Sequence, residues 1–185
     1  NEDYPRIINV GGYDERKGLD DFFQAVKVVA SRYENLKIDI IGSGSNKRKK
    51  ILKELCKNLD IEKYITWHGF LDSIEISRLH KKASIFVITS QNENSPNTLA
   101  EALCIGTPSI AYDVGGISSM FEDEKSGFLI PKGNIKMLSE KMLLLLKDKD
   151  LRNSFSKESI EFSKSNYPDE VAKCSFIAYK NIINN

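Results

Sequence analysis

Two glutamates, Glu93 and Glu101, stand eight residues apart in the stretch SQNENSPNTLAEALCIGTPSIAY. The first falls in a polar loop, the second in the opening turns of a helix. Ionised carboxylates accept hydrogen bonds from hydroxyl groups. The unpaired N–H groups at a helix start attract anions. Two carboxylates grouped with such a helix start therefore suit a polyhydroxylated ligand that also carries phosphate. Either glutamate alone reads more simply as a solvated surface charge; their shared place beside glycine-rich turns carries the chemical reading.

The elements that must position them follow from hydropathy. Residues 85–89, IFVIT, are a short apolar run rich in β-branched types, which predicts a strand buried on both faces of a parallel sheet. Residues 90–96 form the loop at its carboxyl end. After Pro96, the residues Leu99, Ala102 and Leu103 share one helical face, and Gly106 with Pro108 stops the element. Ligands of open α/β sheets bind above the carboxyl ends of strands, where this loop and helix start lie.

The rest of the chain repeats that alternation. RIINV (6–10) and KIDII (37–41) read as strands. Between them Leu19, Phe22, Phe23, Val26 and Val29 mark an amphipathic helix. A lysine-rich helix over about 47–59 carries Ile51, Leu52, Leu55 and Leu59 as its inner stripe. A strand at 65–68, a helix containing Ile74, Ile76 and Leu79, and strands PSIAY (108–112) and GFLI (127–130) follow. Residues 137–150 and 151–165 are both periodic in the helical sense. Strands alternating with helices imply a parallel α/β sheet with right-handed crossovers. Without a low-complexity linker or internal repeat, all 185 residues read as one domain.

Composition narrows the functional classes. With 41% hydrophobic residues the chain can bury a sizeable core. A net charge of +1 gives no reason to expect nucleic-acid binding. No apolar run is long enough for a transmembrane span, and NEDYPR does not read as a signal peptide. Cys56, Cys104 and Cys174 lack CxxC spacing and His neighbours, so they read as reduced, mostly buried thiols of a cytoplasmic protein.

Several residues carry both a chemical and a plain reading. Gly11 and Gly12 follow the first strand, and Gly42 and Gly44 the second; glycines there let backbone N–H groups approach a phosphate, although tight turns need glycine as well. His68, at a strand end, reads as a packed or hydrogen-bonded structural residue. Asp148-Lys149-Asp150 imitates a metal-binding pattern but falls where two helices meet, so no metal site is expected. The cluster Lys47-Arg48-Lys49-Lys50 with Lys53 reads as a solvated helix face; its competing reading is peripheral association with an anionic membrane surface.

ENSPNTLAE resembles the E-x7-E motif of the group 1 family of retaining glycosyltransferases. The resemblance continues through NVGGYDERKGLDDFFQA, IDIIGSGS, WHGFLDS, ASIFVITS, EALCIGTPSIAYDVGG and SGFLIP, in order along nearly the whole chain. It implies a Rossmann-like three-layer domain, a parallel sheet flanked by helices: the carboxyl-terminal, donor-binding half of a GT-B glycosyltransferase, with the amino-terminal acceptor domain elsewhere. By resemblance, Lys17 contacts the donor diphosphate. Gly12 stands where the family often has an arginine, which leaves Arg16 to reach the phosphates. Gly11, Gly12, Gly42 and Gly44 line the donor, and Phe70 and Leu71 line the base. Asn94, Ser95, Pro96, Asn97, Thr98 and Leu99 hold the pyrophosphate and donor sugar through their main chain. Glu93 grips sugar hydroxyls, and Glu101 takes both ribose hydroxyls. The implied reaction transfers a sugar, with retention, from a nucleoside-diphosphate sugar to a saccharide or lipid-linked acceptor in bacterial polysaccharide or lipopolysaccharide biosynthesis. UDP-sugars come first as donor and GDP-mannose second. No metal or other cofactor is expected, and the domain alone should transfer little. Rival readings are a non-catalytic nucleotide-sugar-binding subunit that works with a partner chain, a sugar-nucleotide epimerase domain, and a dinucleotide-dependent oxidoreductase, the last disfavoured because no G-x-G-x-x-G follows the first strand.

Overall fold

The computed structural model describes residues 4–120 and 122–164. Six short strands form one sheet: β1 (Arg6–Val10), β2 (Lys37–Ile41), β3 (Ile65–Gly69), β4 (Ile85–Ile88), β5 (Ser109–Asp113) and β6 (Gly127–Pro131). Their spatial order is β3-β2-β1-β4-β5-β6, and every pairing is parallel. The chain returns across the sheet between β3 and β4, so the strand order reverses at the β1/β4 neighbours. A crevice opens above the carboxyl ends at such a reversal.

Helices α1 (Leu19–Ala30), α2 (Asn46–Asn58), α3 (Ser73–His80), α4 (Asn97–Ile105), α5 (Ile135–Lys147) and α6 (Lys149–Lys164) complete the described chain. Alternate residues of β1, β2, β4, β5 and β6 feed two cores, as expected when both faces of a sheet are covered, while edge strand β3 feeds one through Ile65 and Trp67. On one face Ile7, Ile38 and Ile40 meet Phe22, Phe23 and Val26 of α1, Leu52 of α2, and Leu138 and Met142 of α5. On the other, Ile8, Phe86 and Ile88 meet Leu99, Ala102 and Leu103 of α4. Phe22 and Phe23 are fully buried. Truncating either to alanine is expected to cost roughly 3–5 kcal/mol and to detach α1.

The inner stripe of α2 is Leu52, Leu55, Cys56 and Leu59, at helical spacing, whereas Ile51 points outward and is 47% exposed. Ile51 sits one residue, about 100° of helix rotation, off that stripe, which corrects the sequence expectation. In α3, Asp72 and Glu75 form a reciprocal capping box, Ile76 and Leu79 pack inward, and Ile74 faces solvent. The leucine helix stops at Lys147 rather than running on: Asp148 leaves helical geometry, and its carboxylate accepts the Leu151 N–H at 2.8 Å. Asp148 thus caps the start of α6.

Among the thiols, Cys56 is buried, and burial pushes its pKa up to about 12. Cys104 is exposed, against expectation, because it lies on the face of α4 opposite the Leu99–Ala102–Leu103 stripe. Cys174 lies outside the described residues. His68 has the structural role expected: its Nε2 is 2.7 Å from Asp39, and Asp39 also accepts from Arg6 at 2.7 Å. The buried carboxylate so ties β1, β2 and β3 together.

Candidate functional site

The crevice at the β1/β4 reversal is built from backbone fitted closely to backbone. Gly11 donates its N–H to Ile41 at 2.8 Å, and Tyr13 donates to Ser43 at 3.1 Å, so the loops after β1 and β2 are zipped together. Gly42 has φ +132°, and a Cβ placed there would lie 1.6 Å from the Gly11 carbonyl oxygen. Only glycine allows that approach. At Gly44 a Cβ would meet that of Tyr13 at 2.8 Å, and at Gly12 it would meet the Ser43 oxygen at 3.2 Å. The four glycines expected near the donor are therefore neighbours in one double loop.

From that loop the chain makes a tight turn, Glu15–Lys17, before α1. The turn is fastened to the end of β4. Thr89 donates its hydroxyl to the Gly18 carbonyl at 2.9 Å, and the Gln91 N–H donates to the Arg16 carbonyl at 2.6 Å. So held, the Lys17 ammonium forms an ion pair with the Glu93 carboxylate, both side chains being largely covered. Two residues separated by 76 positions meet over the sheet reversal. Arg16 does not join them; its guanidinium is exposed and pairs with Asp14 at 3.1 Å.

The Glu93 loop is clamped from the far side. Gly116 donates its N–H to the Glu93 carbonyl at 3.1 Å. A Cβ at Gly115 would lie 1.8 Å from that same oxygen, and one at Gly116 2.0 Å from the Asn94 oxygen. Lys132 donates to the Gln91 carbonyl at 3.0 Å, and the Gln91 side-chain amide donates to Asp21 at 3.2 Å. Asp21 also accepts from the Tyr112 hydroxyl at 3.1 Å; burial together with this carboxylate pushes the Tyr112 pKa up, so the phenol stays protonated.

Beyond the loop, α4 begins after a buried Pro96, with no side chain capping its start. Asn94, Ser95 and Asn97 are exposed and Thr98 half-buried around this start, while Leu99 is anchored in the core. Glu101 lies on the outer face of α4. With Ser73, Ile76, Ser77, Asn97 and Cys104 it lines a cleft of about 480 Å³ between α3 and α4. The loop from β3 into α3 displays Phe70 at 84% exposure, so it is no core residue, while Leu71 packs against the core beneath α3 and α4.

The expected residues thus form two clusters: the double glycine loop with Lys17 and Glu93 at the reversal, and Glu101 with the α3/α4 cleft to one side. Among the described residues no group of three or more His, Cys, Asp or Glu side chains could hold a metal ion. The sequence reading missed the residues that brace the site, namely Thr89, Gln91, Gly115, Gly116 and Lys132. Only the Gly115-Gly116 pair following a strand carried a signal that could have found two of them.

Against known proteins, residues 1–162 match the family described as Glycosyl transferases group 1. A glycosyltransferase of Haemophilus influenzae is 29% identical over 154 residues, which are 83% of this chain and 42% of that protein. The amylovoran biosynthesis glycosyltransferase AmsK of Erwinia amylovora is 30% identical over 146 residues, 76% of this chain and 35% of AmsK. The chain so spans less than half the length of either relative. In three dimensions it is similar to Staphylococcus aureus TarM, solved with fondaparinux, alpha-GlcNAc-glycerol and UDP, at a TM-score of 0.85 and 22% identity, covering 95% of this chain and 35% of TarM. At that identity the likeness speaks to the fold.

Proposed function

The chain belongs to the group 1 glycosyl transferases, and from that membership we propose that it binds a nucleoside-diphosphate sugar and serves its transfer, with retention of configuration, to a saccharide or lipid-linked acceptor. The observation that carries the reading is the Lys17–Glu93 pair at the sheet reversal. A cation and a carboxylate side by side suit a ligand in which a diphosphate joins a sugar, the ammonium for the phosphates and the carboxylate for the hydroxyls.

In this reading an arriving diphosphate takes over Lys17 from Glu93. Negative charge that grows on the leaving phosphate is then stabilised by the ammonium and by the uncapped start of α4, both held in place beforehand. Glu93, released from Lys17, accepts from sugar hydroxyls near the anomeric carbon. Glu101 takes the ribose hydroxyls, and the base lies towards Phe70 and Leu71. The charge is met by protein groups, so the proposed transfer needs no metal.

A UDP-sugar is the first choice of donor and GDP-mannose the second. The UDP bound to TarM supports that order, and AmsK supports a place in polysaccharide or lipopolysaccharide synthesis. All 185 residues are read as the donor domain, with acceptor recognition supplied by a separate amino-terminal domain; alone, the chain is expected to bind donor and transfer little. No described helix is long and apolar enough to cross a membrane. For lipid-linked acceptors we place the enzyme in the cytoplasm, at the inner membrane face. Lys47, Lys50 and Lys53 are exposed for such contact, whereas Arg48 is turned inward.

Calorimetric titration with UDP, GDP, ADP and NAD tests the proposal. Saturable binding of one nucleoside diphosphate, weakened roughly tenfold or more in Glu101→Ala, is the expected result, since a hydrogen bond to a charged group is worth about 1.5–3 kcal/mol. Binding of NAD alone, or of nothing, would refute it.

A further inference from the structure

Arg48 belongs by sequence to a run of basic residues, yet its side chain is only 13% exposed and is engaged on both sides. Its Nε donates to the Tyr13 carbonyl at 3.2 Å, and its Nη2 pairs with the Asp20 carboxylate. The backbone of Arg48 is itself fixed, because its N–H donates to the Ser45 hydroxyl that caps α2. Tyr13 and Asp20 are the two ends of the segment that carries Lys17. Tyr13 precedes the turn Glu15–Lys17, and Asp20 lies in the first turn of α1 just after it.

We propose that Arg48 is a positioning residue for the diphosphate site, one that sets the place of the Lys17 ammonium by holding both ends of the 13–20 segment from α2. A guanidinium suits that task because its planar fork of donors can serve a carbonyl and a carboxylate together, whereas a lysine offers a single ammonium. The middle of the segment is held from the other side by Thr89 and Gln91 of the β4 end. Lys17 is therefore suspended between β4 and α2; on the α2 side Arg48 reaches both ends of the segment, and the Lys49 ammonium adds only a contact over the Tyr13 ring, 5.8 Å from its centroid. No ligand contact by Arg48 is required. The role in binding rests on the donor-site reading above, but the mechanical part does not.

Two measurements on the full chain separate these. Hydrogen exchange without nucleotide is compared for wild type, Arg48→Met and Arg48→Lys. Faster exchange in residues 13–20 in both variants, with unchanged protection of the sheet, is expected; unchanged exchange in that segment overturns the inference whatever binds. Titration then compares UDP with UMP. Arg48→Lys should weaken UDP roughly tenfold and leave UMP within about twofold, and the loss should vanish when Lys17 is already alanine, as coupling through one residue demands. If the loss persists undiminished in the Lys17→Ala background, Arg48 touches the ligand itself and the positioning role is wrong. If wild type binds no diphosphate, the donor-site reading fails while the exchange result still decides whether Arg48 tethers the segment. Arg48→Lys keeps the charge beside Asp20, so it remains informative should Arg48→Met fail to fold.

Discussion

Substituting alanine at Gly115 and at Gly133 separates backbone strain from displacement of the site. Both residues have positive φ, +54° and +76°. Each alanine therefore carries the left-handed penalty of about 1–2 kcal/mol. Around Gly133 a Cβ meets nothing within 4 Å, whereas at Gly115 it would stand 1.8 Å from the Glu93 carbonyl oxygen. Ordinary carbon–oxygen contacts are about 3.3 Å or longer, so Gly115→Ala must drive that carbonyl away by roughly 1.5 Å. A shift of that size also breaks the 3.1 Å hydrogen bond from Gly116, adding about 1 kcal/mol. Unfolding in urea should then show Gly133→Ala destabilised by about 1–2 kcal/mol and Gly115→Ala by about 2–3 kcal/mol, with equal slopes. The sharper contrast lies in binding. A displacement on the order of 1 Å at a positioned group costs up to about 10²-fold, so UDP affinity should fall more than roughly tenfold in Gly115→Ala and stay within about twofold of wild type in Gly133→Ala. Equal affinities in the two variants would refute the argument that the Glu93 loop is set by the Gly115-Gly116 clamp.

Three further outcomes are expected. Burial lowers the His80 pKa from 6.5 to about 4, its Nδ1 lying 3.1 Å from the Thr107 hydroxyl; the group is neutral in both states above pH 6.5, and below it the unfolded chain takes up a proton that the folded chain refuses. Stability should therefore fall between pH 6.5 and 4 by about 3 kcal/mol in total, and denaturation of His80→Gln across that range should lack this component. A thiol reagent should modify exposed Cys104 in the native state within the time in which buried Cys56 stays intact, which mass mapping of the labelled peptides checks. Addition of a chelator should leave UDP affinity unchanged, because the proposed diphosphate site relies on Lys17 and the α4 start; loss of binding on chelation would show that a metal is needed.

How far the sequence could be read depended on the range of the interactions concerned. The strands declared themselves because a strand covered on both faces is mostly apolar, as Ile85–Ile88 is throughout and RIINV is at Ile7, Ile8 and Val10. The stripe on α1 was legible for a similar reason, whereas Ile51 on α2 was misplaced because one apolar residue beside a stripe shifts the apparent face. Glu93, Lys17 and the glycines of the double loop were recognisable as chemistry; that Lys17 and Glu93 bind one another was not, since their meeting depends on the strand order. Arg48 was hidden for the same reason. In a run of basic residues nothing local distinguishes the side chain that turns inward to a carbonyl and a carboxylate 35 and 28 positions away. Phe70 could not be placed either, because whether an aromatic residue in a β-to-α loop is covered depends on what lies above it.

If the proposed function holds, the pairing of Lys17 with Glu93 bears on how the donor is found as well as how it is held. Around the crevice Lys17 faces Glu93, Arg16 faces Asp14 and Arg48 faces Asp20, three cations each beside a carboxylate, while Lys132 donates to the Gln91 carbonyl. From more than a Debye length away such dipoles largely cancel, so these three pairs cast little field to hasten the approach of an anion. Discrimination falls instead to the moment of contact. On that reading sulfate has to evict Glu93 from Lys17 with no hydroxyl to offer the displaced carboxylate, while a sugar diphosphate brings several for it to accept from. The carboxylate would then act as a resident competitor, one that yields most readily to a visitor carrying both halves of the replacement.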